Sequence, residues 1–287
     1  MRRRAAIDIG TNSVRLLVVD EHGADLTRRS KVTGLGKGLA ASSRLNPQGR
    51  SATLEVLGAY ASAIADRAAE SKRAVMTAAG RNATDTADFL SQAVEVLGFP
   101  IEVIPGEEEA ALSYAGAASD LPGDDPVVVD IGGGSTEVVT AGGGTSYEMG
   151  SVRLTDQHLV DRPVSDLTLA DARATVQEVL ALVDPTSRPV VGVAGTWTTL
   201  AAIEHGVYAP DLIHHSRLSA RLLGRWIDRL ATLSVEETAS LPGIEPRRAP
   251  VILGGAIVAE QVLAALAARE CLVSERDLLD GIVARLT

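Results

Sequence analysis

The sequence predicts an α/β protein of two similar halves that face each other across a cleft. Residues 6–13 (AIDIGTNS) and 128–135 (VVDIGGGS) repeat one order of features: an apolar strand, an aspartate, a Gly/Ser turn and a second strand. Strand-like and helix-like segments also alternate along most of the chain. The 287 residues are 46% hydrophobic, which is enough for a sizeable core.

The first half begins with three predicted strands, followed by alternating helices and strands. The runs 5–9 and 14–20 are apolar and joined by a short turn, a spacing typical of a hairpin. Apolar positions at helical spacing predict the first long helix over 50–71. The predicted order is strands 5–9, 14–20 and 24–33, helix 50–71, strand 74–77, helix 85–97, strand 101–104 and helix 107–116.

The second half follows a segment, 121–126 (LPGDDP), whose composition is typical of a linker. We therefore place the domains at 1–120 and 121–287, and the last helix is compatible with a return to the first domain. The predicted elements are strands 127–131, 136–141 and 145–149, helices 153–160 and 168–183, strand 189–194, and helices 198–204, 217–232, 234–240, 246–268 and 275–286.

Charge and cysteine content exclude several classes of protein. A net charge of −10 argues against a general binder of nucleic acid or of anionic membranes. The single cysteine, Cys271, excludes a disulfide framework and a cysteine-rich zinc site. No apolar stretch reaches the ~20 residues of a membrane span, and the basic N-terminus lacks the apolar core of a signal peptide. We therefore expect a cytoplasmic protein with no nucleic-acid or membrane partner.

The repeated turns are suited to holding phosphate. Glycine lets the backbone approach a ligand closely, and successive N–H groups can surround an anion. Asp8 and Asp130 precede the two turns and are suited to hydrated Mg²⁺, which prefers oxygen ligands. One such turn alone is more typical of a plain hairpin, whereas two at matching positions favour a phosphate site. A third Gly/Thr turn follows the strand at 189–194, where a helix N-terminus favours an anion.

These segments resemble the exopolyphosphatase and guanosine pentaphosphate phosphatase (Ppx/GppA) family, in its short two-domain form, within the actin–hexokinase–heat-shock ATPase superfamily. The resemblance spans residue 5 to about 283 and is carried by 6–15, 105–110, 129–137, 149–154 and 194–200. It implies two actin-like (ribonuclease H-like) domains, each a mixed sheet flanked by helices, with a cleft between them.

The resemblance also implies roles for individual residues. Glu109 is the implied general base on the attacking water, and Glu137 is implied to orient water or bind metal. The implied ligands of Mg²⁺ (or Mn²⁺) are Asp8, Asp130 and Glu137. The candidate phosphate-binding residues are Gly10, Thr11, Asn12, Ser13, Arg15, Arg81, Gly132, Gly133, Gly134, Ser135, Gly195 and Thr196.

Two alternatives stay open for charged residues near the site. Glu107 and Glu108 are also typical of an acidic first helical turn that complements the helix dipole. Arg81 is equally compatible with a solvated arginine at a helix start. Residues 1–50 carry a local charge of +6 and residues 51–150 a local charge of −12, so we expect a cleft with one cationic and one anionic wall.

We therefore predict an exopolyphosphatase that hydrolyses the terminal phosphate of inorganic polyphosphate by metal-assisted attack of water. Trp197 replaces a small residue in the third turn and is expected to narrow a nucleotide pocket, which favours polyphosphate over guanosine pentaphosphate. The chain lacks the additional C-terminal helical domains of long family members, so we expect short chains to be preferred.

Other functions stay open. They are a guanosine pentaphosphate phosphohydrolase, an actin-fold kinase and a non-catalytic alarmone sensor. The alanine-rich helix around 256–268 is compatible with packing inside the chain or across a homodimer.

Overall fold

Two mixed β-sheets form the framework of the chain, which a computed structural model describes over residues 2–119, 121 and 125–286. Residues 122–124 of the predicted linker lie outside the described residues. The first sheet has the order β3-β2-β1-β4-β5, with β2 antiparallel to both β1 and β3, and the rest parallel. Its strands are β1 (Arg3–Ile9), β2 (Ser13–Val19), β3 (Asp25–Val32), β4 (Ala69–Met76) and β5 (Ile101–Val103).

The second sheet repeats the arrangement of the first. Its order is β10-β11-β9-β6-β7-β8, so β8-β7-β6-β9-β11 follows the same path as β3-β2-β1-β4-β5, and β10 is added at the edge. Its strands are β6 (Val127–Ile131), β7 (Thr136–Thr140), β8 (Gly143–Tyr147), β9 (Val190–Val193), β10 (Arg217–Ser219) and β11 (Glu270–Val273). The predicted α/β fold of two mixed sheets is confirmed.

Helices cover both sheets, which explains why the central strands are apolar. All five residues of β6 are buried, as expected of a central strand with a helix layer on each face of the sheet. The helices are α1 (Leu39–Ser42), α2 (Pro47–Asp66), α3 (Ala78–Asn82), α4 (Thr86–Leu97), α5 (Gly106–Ala118), α6 (Ser151–His158), α7 (Asp166–Val179), α8 (Ala194–His205), α9 (Pro210–Ile213), α10 (Ala220–Ala231), α11 (Val235–Ala239), α12 (Ile252–Ala265) and α13 (Leu278–Arg285).

The C-terminal helix α13 packs on the first sheet rather than on the second. Leu278, Leu279 and Ile282 join a buried cluster with residues of β1, β2 and α5. A salt bridge from Arg28 on β3 to Asp280 on α13, at 2.6 Å, supports the same contact. Helix α13 therefore lies against the first sheet, next to α5.

Several predicted boundaries are wrong. The segment 217–219 forms the edge strand β10 instead of the start of a helix, and β11 was not predicted. Strand β4 begins at Ala69, inside the predicted helix 50–71. Helix α8 begins at Ala194, so the predicted third turn is the first turn of a helix. In each case pairing with a distant strand, or contact at the cleft, overrides the local pattern.

No helix in the described ranges is long and apolar enough to cross a bilayer.

The contact between α5 and α13 depends on glycine. A Cβ added at Gly281 would overlap the backbone carbonyl oxygen of Leu112, which cannot move away as a flexible side chain could. We predict that Gly281→Ala lowers the free energy of unfolding by about 1–3 kcal/mol or more. Urea unfolding followed by circular dichroism measures this change.

Gly58→Ala is the matched control. Gly58 lies inside α2, where an added Cβ meets only Val96 Cγ1, at 3.6 Å. Alanine is the better helix former, so we expect Gly58→Ala to be neutral or to stabilise by about 0.5–1 kcal/mol. Equal destabilisation by both substitutions would contradict the close contact at Gly281.

Candidate active site

The two Gly/Ser turns have the same internal geometry. Gly10 N donates to Ser13 O at 3.0 Å, and Gly132 N donates to Ser135 O at the same distance. The turns also touch each other: a Cβ at Gly133 would lie 3.0 Å from Thr11 Cβ, and one at Gly134 would lie 2.7 Å from Thr11 Oγ1. Small residues are therefore needed where the two halves meet.

Carbonyl groups of the turns accept hydrogen bonds from the protein, whereas several N–H groups of the turns are left for a ligand. Thr11 O accepts from Gly36 N at 2.8 Å, and Gly133 O accepts from Val152 N at 2.9 Å. Within the described ranges, the N–H groups of Thr11, Asn12, Gly133 and Gly134 donate to no protein group. Free donors on two adjoining turns suit a phosphate.

A small cavity of about 60 Å³ lies between these turns. Its walls come from both halves and from the start of α8, where Ala194 adopts a left-handed φ of 69°. Most of the predicted site residues reach it. The predicted residues that line it are Asp8, Gly10, Thr11, Asn12, Ser13, Arg15, Glu109, Asp130, Gly132, Gly133, Gly134, Ser135, Gly195 and Thr196.

Arg81 and Glu137 stand behind this cavity rather than in its wall. Arg81 Nη1 donates to Glu109 Oε2 at 2.7 Å and to the Ile104 carbonyl at 3.1 Å. Glu137 is completely buried, and its Oε1 accepts from Ser146 Oγ at 2.7 Å. Arg81 is therefore an ion-pair partner of Glu109 and not a solvated arginine at a helix start.

Glu109 sits in the first turn of α5 with an environment that favours its neutral form. Burial is the main cause and raises the pKa of Glu109 to about 7, against the lowering effect of Arg81, while the Asp130 and Asp8 charges add to the rise. Its Oε1 accepts no hydrogen bond from any described residue. That oxygen is free to accept a proton from a water in the cavity.

The neighbouring carboxyl groups are also shifted. Burial raises the pKa of Asp130 to about 6, while Arg15 and the Ser113 hydroxyl, which donates to Oδ2 at 2.7 Å, oppose the shift. Burial, together with the charges of Glu109 and Asp130, raises the pKa of Glu137 well above its ordinary value. The anionic wall predicted from the sequence is therefore built from carboxyl groups that resist full ionisation.

Equivalent positions in the two hairpins carry opposite charges. In the first hairpin Asp8 lies opposite Arg15, and in the second Asp130 lies opposite Glu137. Arg15 does not present a free cation to the cavity. Its Nε and Nη2 donate to Asp8 Oδ2 at 2.8 and 2.7 Å, and its Nη1 donates to Asp277 Oδ2.

Arg248 is a cleft residue that the sequence analysis missed. It lines the small cavity and packs directly over Gly195, where an added Cβ would overlap its guanidinium. Burial lowers the pKa of Arg248, because its carboxylate partner Glu245 is 3.5 Å away and offsets only part of the lost hydration. No local sequence pattern marks Arg248. Ser113, which donates to Asp130, was also missed, but it lies four residues after Glu109 on α5 and could have been found from helical spacing.

A second cavity of about 550 Å³ continues from the first. The two share Arg15, Ala194, Gly195 and Arg248 as lining residues. The larger one adds Arg28 and Arg29, with apolar and aromatic walls from Val207, Tyr208, Ile244 and Leu279. A ligand with one end between the turns can therefore extend into a space lined by arginines.

The expectation that Trp197 narrows this space is wrong. Its side chain is fully buried in the core of the second half and donates from Nε1 to Val129 O at 3.1 Å. It lines neither cavity. Trp197 therefore does not distinguish polyphosphate from guanosine pentaphosphate.

The predicted metal ligands do not form a ready-made cluster. In the described part of the chain, no three His, Cys, Asp or Glu side chains are gathered as a metal-binding group. However, Asp8 Oδ1 and Glu137 Oε2 are buried oxygens without a hydrogen-bond partner. This donor set suits Mg²⁺, which is commonly held by one or two carboxylates, waters and substrate phosphates.

The α/β fold of two mixed sheets and the small cavity between the two Gly/Ser turns are typical of a phosphatase. The sequence pattern of the Ppx/GppA phosphatase family matches residues 17–287, and the chain belongs to that family. Membership confirms the prediction of an enzyme, a hydrolase acting on phosphoanhydride bonds.

Individual relatives cover nearly the whole chain. Exopolyphosphatase 2 of Mycobacterium tuberculosis is 37% identical over 100% of this chain and 99% of its own length. An exopolyphosphatase-like protein with a known crystal structure is 32% identical to this chain in sequence. The two structures align with a TM-score of 0.91, over 98% of this chain and 96% of that one. The type II variant of the Aquifex aeolicus Ppx/GppA phosphatase is 32% identical with a TM-score of 0.75 and covers 98% of both chains.

Removing one of the shifted carboxylates should stabilise the fold at high pH. A raised native-state pKa adds stability below the ordinary pKa of the group, and this stability is lost as the pH rises through the native value. We predict that the free energy of unfolding of Glu137→Gln is larger than that of the wild type at pH 8, and that this difference shrinks towards pH 4. Each unit of raised pKa corresponds to about 1.4 kcal/mol.

Urea unfolding with a chelator present measures this difference. Glu55→Gln, an exposed glutamate on α2, is the control and should give no pH-dependent difference. If Glu137→Gln were less stable than the wild type at pH 8, Glu137 would be stabilised as a carboxylate, contrary to its surroundings.

Proposed function

We propose that the chain is an exopolyphosphatase that releases the terminal phosphate of inorganic polyphosphate, with short chains preferred. The observation that carries the proposal is the set of free N–H groups on two touching turns, with Glu109 in the same cavity wall. The curated relative at 37% identity supports the same activity. The small cavity has about the space of two water molecules, which suits one phosphoryl group at a time.

The chain's own groups account for the chemistry of hydrolysis. The N–H groups of Thr11, Asn12, Gly133 and Gly134 would bind the terminal phosphoryl oxygens and stabilise the charge that they carry during transfer. Arg81 holds Glu109 by Oε2, so that Oε1 would accept a proton from the attacking water. Arg248 would bind the following phosphate at the opening into the larger cavity.

Mg²⁺ is proposed as the cofactor, because the buried carboxyl groups outnumber the cations around them. Asp8 and Asp130 line the cavity and would hold the ion together with substrate phosphate and water. Glu137 Oε2, which lacks a partner, would become ionised when a cation is near. The ion would neutralise charge on the phosphoryl group.

Guanosine pentaphosphate is the second candidate substrate. The larger cavity, with Tyr208 and apolar walls beside its arginines, has room for a nucleoside next to the phosphate cavity. Both substrates require cleavage of a phosphoanhydride by the same groups, so the difference lies in what occupies this cavity.

Phosphate release from different substrates distinguishes these candidates. With Mg²⁺, we expect faster release per molecule from triphosphate and short polyphosphate than from chains of hundreds of units. We expect release to stop when a chelator removes the metal. Release from guanosine pentaphosphate alone would overturn the proposal in favour of the second candidate, whereas binding without release from any substrate would indicate a sensor.

Glu109→Gln should remove turnover and keep binding. The amide cannot accept the proton of water, so we expect kcat to fall about 10²- to 10⁴-fold while the affinity for polyphosphate is retained. In the wild type, kcat/KM should fall as the pH drops below about 7, because protonation inactivates the base. The remaining activity of Glu109→Gln should lack this acidic limb.

Glu108→Gln is the matched control for this variant. Glu108 is the adjacent residue on α5, pairs with Arg73 at 2.7 Å and lies outside the small cavity. We expect its activity and pH profile to match the wild type. An equal loss in both variants would place the effect in helix α5 as a whole, and an unchanged Glu109→Gln would remove Glu109 from the mechanism.

A further inference from the structure

Asp277 reaches the cleft from the far end of the chain. It is the N-terminal capping residue of α13, where its Oδ1 accepts from Leu279 N at 2.9 Å. Its Oδ2 accepts from Arg15 Nη1, on strand β2 of the first sheet. Asp277 is only 8% exposed, so its negative charge acts through a poorly hydrated surrounding.

The contact changes the charge that Arg15 offers to a substrate. Three of the five N–H groups of the guanidinium are used by Asp8 and Asp277, which leaves one on each terminal nitrogen. With Asp8 alone, the pair would be neutral. With Asp277, the group of three carries one net negative charge when both carboxyl groups are ionised.

This group of three lies where the two cavities meet. Arg15 lines both cavities, and Asp277 lines the larger one. A chain of phosphates with its terminal unit beside Glu109 must pass Arg15 and Arg248 to enter the larger cavity. The second and later phosphates then approach Asp277, and each added phosphate brings further negative charge towards it.

We propose that Asp277 is a specificity-determining residue that limits the length of the phosphate chain bound across this junction. It does so in two ways: it repels phosphates beyond the first, and it holds Nη1 of Arg15 in an ion pair, so that one N–H group of this nitrogen is not available to substrate. The inference rests on the proposed function, because it concerns the remainder of the same phosphoanhydride substrate.

Removing the charge while keeping the helix cap tests the proposal. Asparagine is nearly as good an N-terminal cap as aspartate, and serine is a second cap without a group facing Arg15. In Asp277→Asn and Asp277→Ser, we expect KM to fall about fivefold or more for polyphosphate of about 15 units, with a smaller fall for pyrophosphate and triphosphate. We expect the difference to shrink at high salt, where charges are screened.

Asp88→Asn is the matched control, because Asp88 pairs with Arg50 at 2.6 Å and lines neither cavity. Its KM should match the wild type at every chain length. An equal change of KM for all lengths, no change, or a loss of kcat with unchanged KM in both Asp277 variants would overturn the proposal.

Equilibrium binding separates this inference from the proposed function. Titration of the metal-loaded Glu109→Gln protein, with and without the Asp277→Asn change, with triphosphate and with the 15-unit chain reports the affinity without turnover. If the wild type hydrolyses neither substrate, the proposed function fails, and a length-dependent gain of affinity in Asp277→Asn still supports the role of Asp277. If the wild type is active and the gain is absent, the role of Asp277 alone is refuted.

Discussion

The structure of the cleft depends on one electrostatic constraint: several carboxyl groups are buried together with few cations. Asp8, Glu109, Asp130 and Glu137 are all less than 10% exposed. Two arginines form ion pairs with these carboxyl groups: Arg15 with Asp8, and Arg81 with Glu109. A site of this kind is costly for the protein alone and is suited to a ligand set that brings both a cation and phosphate.

The internal duplication explains how this constraint is built. Both halves place an aspartate at the end of a buried central strand and a Gly/Ser turn after it, so the two turns meet at the same level. The difference lies one strand away, where Arg15 in the first half corresponds to Glu137 in the second. Helix α5 connects the two halves of the site, because Glu109 faces the cavity and Ser113, one turn later, holds Asp130.

The sequence predicts the parts of the site that are local and leaves out the parts that are assembled. The repeat of Asp and Gly/Ser turns is a local pattern, and it correctly places the two turns and their aspartates in one cavity. Arg248 and Asp277 join the cleft only because distant elements fold onto it, and no spacing marks them. Trp197 shows the opposite failure: its position beside the third turn suggests the cleft, but the start of α8 at Ala194 turns the indole into the core.

The fold shows the same division. Strands with apolar runs, such as β1 and β6, are predicted within a residue or two, whereas β10 and β11 pair at the edge through contacts distant in sequence. Their three or four residues carry too weak a pattern to separate strand from helix. The return of α13 to the first sheet depends on Gly281 and on buried leucines, which local periodicity does not assign to one partner.

Burial raises the pKa of the Glu109 carboxyl group to about 7, against the lowering effect of Arg81. A pH titration of ¹³C-labelled glutamate side chains by NMR, in metal-free wild type and in Glu109→Gln, tests it directly. We expect a carboxyl resonance that titrates with a pKa of about 7 and is absent from the variant. If the resonance lost in the variant titrates near the ordinary glutamate value of about 4.3, Glu109 is an ordinary ionised carboxylate and burial does not raise its pKa.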